Sequence, residues 1–163
     1  MTGARIRPFN VASPDCSEAF FAGRVTRCRS MVHAGSLGEL RQALDERAAA
    51  HPVPAPITLD LIGHATRGHR LLRLGRTPID MLDRTVAAFF DDLGDSGLLE
   101  RLGVVSVRLL GCETGVTPSG RRTLRMLSWV LQLPVYGTTF ATLKSHSDVD
   151  GFDPRFEHLL VQG

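Results

Sequence analysis

Apolar positions recur along this chain in two rhythms. Ile57-Thr58-Leu59-Asp60-Leu61-Ile62 and Val104-Val105-Ser106-Val107-Arg108-Leu109-Leu110 are short, dense apolar runs, and each predicts a buried strand, the second a central one. Leu37, Leu40 and Leu44 instead follow a helical period. Ser36 precedes them, with Glu39 three residues on, a capping-box pattern that predicts a helix over 37–50. The proline-rich run His51 to Pro56 then acts as a stiff connector. After Ile62 the pattern predicts a short strand at Leu71–Leu74. Thr77-Pro78 reads as N-cap and first position of a helix to about Leu93, burying Ile79, Leu82, Val86 and Phe90. A short helix is expected at Asp95–Leu102. Another, opening at Pro118 or Ser119 and running to Leu133, sets Leu124, Leu127 and Leu131 on one face. Pro134–Thr138 reads as a strand, Lys144–Asp153 as a polar loop, and 154–161 as a short helix. Arg24–Val32 alternates weakly as a strand, and residues 1–22 read as an irregular N-terminal arm.

Alternating strands and helices predict an α/β fold. The expected form is a three-layer sandwich, a mostly parallel sheet with helices on both faces, with 1–163 as a single domain. Composition adds little: 43% hydrophobic and 22% charged is an ordinary globular balance. A net charge of +2 makes no electrostatic case for nucleic acid. No apolar run approaches the roughly 20 residues that span a bilayer, and no secretory h-region follows Met1. Three cysteines, Cys16, Cys28 and Cys112, form no paired framework and read as reduced thiols, so a cytoplasmic setting is expected.

The chemistry gathers at two strand ends. One run closes Leu61-Ile62-Gly63-His64, the other Leu109-Leu110-Gly111-Cys112. In an open parallel sheet, functional groups collect beyond the carboxyl ends of the strands. If these two strands are neighbours, imidazole and thiol emerge at one rim. A thiol is mostly protonated at neutral pH and its thiolate is the nucleophile, so a histidine that takes the proton completes the pair. Gly111 and Gly115 would leave room for a substrate backbone. The N–H of Cys112, with one from the loop after His64, would form an oxyanion hole. The helix after Cys112 would add its dipole. Glu113 is either a solvated loop residue or a contributor to the field of the dyad. Asp148 and Asp150 are either surface residues or the acidic wall of a pocket for a basic substrate side chain.

Leu59-Asp60-Leu61-Ile62-Gly63-His64-Ala65, the Arg70–Gly75 stretch and Val107 to Gly115, with its Cys112-Glu113-Thr114-Gly115, resemble the caspase-like superfamily, most nearly its CHAT-type domains. Histidine first, with cysteine 48 residues later, fits the caspase interval of roughly 50. The resemblance spans about residues 57 to 140. It implies a thiol protease without metal or cofactor, His64 as general base and acid and Cys112 as nucleophile. Gly63, Ala65, Gly111 and Glu113 would flank the substrate, which would be a protein or peptide. An inactive interaction or regulatory module stays open beside it, as does a site completed by an activating partner protein or a dimer. Zinc on His64, His69, Cys112 and His146 is disfavoured because no close ligand pair supports it. Neither a nucleophile-elbow serine nor a dinucleotide glycine fingerprint follows any strand.

Overall fold

A computed structural model of the chain describes residues 5–17, 31–141, 146–148 and 150–163. Six strands form one sheet in the order β10-β7-β6-β3-β1-β2. They are β1 (Arg7–Ala12), β2 (Met31–His33), β3 (Ile57–Ile62), β6 (Val104–Leu110), β7 (Val135–Thr138) and β10 (Leu160–Gln162). All pair in parallel except β10, which runs antiparallel to β7 along one edge. Two small hairpins stand apart, β4 (Arg73–Leu74) with β5 (Thr77–Pro78), and β8 (Ser147–Asp148) with β9 (Gly151–Phe152). The helices are α1 (Leu37–Ala50), α2 (Arg84–Asp95), α3 (Leu98–Leu102) and α4 (Pro118–Leu131). Among the described residues, no helix is long and apolar enough to cross a membrane.

The three-layer α/β sandwich is what the strand alternation dictates. Ile57, Leu59 and Leu61 of β3 and Val107 and Leu109 of β6 join Leu40, Leu44, Phe90, Leu124 and Leu127 in one core. The crossovers β2→β3, β3→β6 and β6→β7 all step the same way across the sheet. Right-handed connection therefore lays the α-helices of the described residues on one face, α1 against α3, α3 against α2 and α2 against α4. On the other face Ala12, Ile62 and Leu110 pack under Phe152, and the third layer there is the β8–β9 hairpin and a 3₁₀ helix, Pro154–Leu159.

Asp60 and Arg108 share this second face. They are direct partners in the β3–β6 ladder, and Arg108 Nε and Nη2 donate to the two carboxylate oxygens of Asp60 at 2.7 and 2.6 Å. Asp60 is fully buried and Arg108 is 5% exposed. Burial alone lowers the pKa of the guanidinium; the charge and hydrogen bonds of Asp60, with Glu157 behind, outweigh it and hold it above the ordinary value.

Several local expectations are corrected. Residues 7–12, read as part of an irregular arm, are a strand between β2 and β3. Phe9 and Val11 face the helices, and Pro8 is tolerated because β2 pairs only from Asn10 onward. Thr77-Pro78 does not open a helix; it folds back on Arg73–Leu74 around Gly75. The helix starts later, where the Asp83 carboxylate accepts from the N–H groups of Thr85 and Val86 at 2.9 and 3.3 Å, and Leu82 is left exposed. The C-terminal helix is a 3₁₀ segment followed by edge strand β10. The α1 cap holds as read: Glu39 N–H donates to Ser36 Oγ at 3.1 Å. The strand expected at Arg24–Val32 lies mostly outside the described residues, Cys28 included; its end is β2.

The buried pair carries the first prediction. Asp60→Ala strands the Arg108 charge and should cost about 3–5 kcal/mol in chemical unfolding. The double variant Asp60→Leu/Arg108→Met should lose much less than the single one. An equal loss in both would show that the charge is not what the site needs.

Candidate active site

The β3–β6 ladder keeps its register to its last pair, Ile62 opposite Leu110. One residue further, Gly63 and Gly111 abut. A Cβ on Gly111 would come within 2.8 Å of Leu72 Cδ1 and 3.1 Å of Gly63 O, and one on Gly63 would strike the carbonyl of Arg73. Glycine is therefore required here for close approach of strand ends and of the returning chain. Gly115 likewise leaves no room for a substrate backbone, because a Cβ there would collide with Val161. The space beside these glycines is filled by the protein itself.

Next after the glycines stand His64 and Cys112, each four residues beyond its member of the Asp60–Arg108 pair and each half-buried. The backbone of His64 is held by a return loop: Arg73 N–H donates to His64 O at 2.9 Å, and Thr66 N–H to Leu71 O at 2.7 Å. These bonds make Ala65 and Leu72 a non-hydrogen-bonded antiparallel pair, so the Ala65 N–H points away from that loop. Nε2 of His64 is shielded from solvent.

Threonines clamp the loop after Cys112. Thr114 Oγ1 donates to Leu109 O at 2.7 Å and accepts from Thr138 N–H at 3.0 Å. Thr114 N–H donates to Thr138 Oγ1 at 3.2 Å, and Thr138 Oγ1 itself donates to Gly111 O. Glu113, at φ +59°, makes the turn and donates its N–H to Phe140 O at 3.1 Å. Its side chain meets Arg70 at 3.9 Å, an exposed pair worth under about 1 kcal/mol. The two loops are also buckled together, since Thr117 Oγ1 donates to His69 O at 2.6 Å and Ser119 Oγ bonds His69 Nδ1 at 2.9 Å. Thr114 and Thr138 were missed in the sequence; the signal was Thr114 inside the motif, but its partner on β7 had none.

Of the anticipated oxyanion donors, the N–H groups of Ala65 and Cys112 make no hydrogen bond among the described residues, whereas those of Thr66, Glu113 and Gly115 are committed. Helix α4 begins only at Pro118, beyond the clamped turn, and the reach of its dipole fades within a turn. A hollow of about 530 Å³ lies beside the histidine, lined by Asp15, His64, Ala65, Thr66, Arg67 and Arg73. It falls between the ends of β1 and β3, where the strand order reverses, the place an open parallel sheet offers a ligand.

Asp148 and Asp150 do not line the hollow beside His64. Both pair with Arg5, at 3.1 and 3.3 Å, and Asp148 also accepts from the N–H groups of Asp150 and Gly151. Their hairpin lies over the middle of β1, where Asn10 Nδ2 donates to Asp150 O at 2.9 Å, and Arg5 takes up both carboxylates. His69 is taken up at the α4 cap, and His146 packs between Phe140 and Phe156 at 4.6 and 4.7 Å. Among the described residues, no three His, Cys, Asp or Glu side chains converge as metal ligands.

The clamp is testable. Thr138→Val leaves the Gly111 carbonyl and the Thr114 amide unsatisfied, and should cost about 1–3 kcal/mol in unfolding. Hydrogen exchange should speed up at Thr114 and Gly115 more than in α1; uniform change across the chain would contradict a local clamp.

Comparison with known protein families finds no model that matches the chain, and no curated protein matches it.

Proposed function

We propose that this chain is a cysteine endopeptidase of the caspase-like kind, cutting a protein or peptide substrate through an acyl-enzyme on Cys112. The reading is supported by one observation: β3 and β6, whose ends carry His64 and Cys112, are parallel neighbours in register to their last residues. His64 takes the thiol proton. The thiolate attacks the scissile carbonyl, and the Ala65 and Cys112 N–H groups receive the oxyanion. The imidazolium then returns the proton to the leaving amine, freeing the first product. Water, deprotonated by the same imidazole, hydrolyses the thioester. None of these steps calls for a metal or cofactor. The hollow beside His64 is where the substrate would extend, and a reducing compartment such as the cytoplasm suits the thiolate.

The test is chemical labelling. Iodoacetamide should modify Cys112 ahead of Cys16 and Cys28, and His64→Ala should slow that reaction about tenfold or more. Equal labelling of all three in the folded protein, indifferent to the histidine change, would overturn the dyad.

A second reading has an observation of its own. The hollow beside His64 is not lined by Cys112. That favours an interaction module on the same scaffold, or a site completed by an activating partner or a second copy. For the module, Cys112→Ala should leave partner capture and cellular effect intact. Loss of the effect with folding unchanged would return the case to catalysis.

A further inference from the structure

A second cavity lies on the sheet face opposite the α-helices, toward the amino-terminal ends of the strands, with a volume of about 480 Å³. It is separate from the dyad: Thr58 in its lining is six residues before His64, roughly 20 Å along β3. Thr58 is 8% exposed, and its Oγ1 is shielded and has no hydrogen-bond partner among the described residues. Buried hydroxyls are nearly always satisfied, so this one calls for an occupant.

Its neighbours are of the same kind. Ser106 is the ladder partner of Thr58, and Tyr136 that of Arg108; both line the cavity, and neither hydroxyl makes a hydrogen bond among the described residues. Arg108 closes the polar end. Its guanidinium is fixed by Asp60 and lies 5.3 Å from the centre of the Phe152 ring. Among the described residues, one N–H on each terminal nitrogen stays uncommitted. This guanidinium already donates to a second carboxylate: Nη1 reaches that of Glu157, held at an exposed position, over a long 3.4 Å bond. The rest of the cavity is apolar, with Ile6 and Val105 left 46% and 40% exposed on its walls and Leu160 beside them.

Three free hydroxyls and a guanidinium at one end, with an apolar trough at the other, match one chemistry. We propose that this cavity binds a small organic acid with an apolar chain. Its carboxylate displaces that of Glu157 and accepts from Arg108, Ser106 and Tyr136, and from the Thr58 hydroxyl that this displacement uncovers, while its chain lies along Ile6, Val105 and Leu160. The proposal does not depend on the peptidase reading.

Octanoate is the probe, with octan-1-ol and octylammonium as controls, titrated into the ¹⁵N-labelled full chain. Octanoate should give saturable amide shifts centred on Thr58, Ser106 and Tyr136, and the controls should bind at least about tenfold more weakly. Thr58→Val should keep the melting temperature of the free protein or raise it, since it removes an unsatisfied hydroxyl, yet weaken octanoate about tenfold. Tyr136→Phe should weaken it less, and Glu157→Gln should tighten it by removing the competing carboxylate. Cys112→Ala should change nothing. The proposal is overturned by the absence of saturable shifts, by equal binding of the alcohol, or by a Thr58→Val protein that melts lower and binds octanoate unchanged.

Discussion

The Asp60–Arg108 pair is the constraint on which the rest of the structure depends. A parallel ladder of Val, Ile and Leu does not distinguish strongly between registers two residues apart, because each such slip restores an apolar face. A buried, two-pronged ion pair does distinguish them. Any slip would leave a carboxylate and a guanidinium in the core without each other, a cost larger than the bonds themselves contribute. Because the pair joins residues directly opposite, everything downstream is set by counting. Four residues on from each partner stand His64 and Cys112, each just past a strand end.

Register alone would leave those groups on mobile loops. The backbone around them is fixed by contacts that use neither side chain. Gly63 and Gly111 let the strand ends touch and admit Leu72 against them. The backbone of Arg73 holds His64, and the Thr114–Thr138 network ties the Cys112 turn back to Leu109, Gly111 and β7. The loops then meet at His69 and Thr117. Small residues and hydroxyls here serve approach and fixation, which corrects the view of the glycines as substrate space. The same sheet carries two cavities at opposite ends of β3, one at the reversal of strand order and one beside the unsatisfied hydroxyl of Thr58. Arg108 belongs to both, setting the register of one and closing the polar end of the other.

The sequence by itself determined whatever depends on neighbours within a turn or a strand. The Ser36–Glu39 cap, the apolar runs of β3 and β6, the leucine face of α4 and the two Gly-then-reactive-residue endings were legible because their energetics are local. Tertiary structure decided what depends on residues far apart. β1 was hidden because Pro8 and Asn10 mask its alternation, and only its place beside β3 makes it a strand. Thr77-Pro78 carries a helix-start signal that lost to pairing with Arg73–Leu74. Asp148 and Asp150 read as acids that could face a substrate; Arg5, more than a hundred residues away in sequence, takes up both carboxylates. The ion pair was invisible for the same reason: Asp60 and Arg108 each look like a polar interruption of a strand, and only adjacency turns two desolvation costs into one satisfied contact.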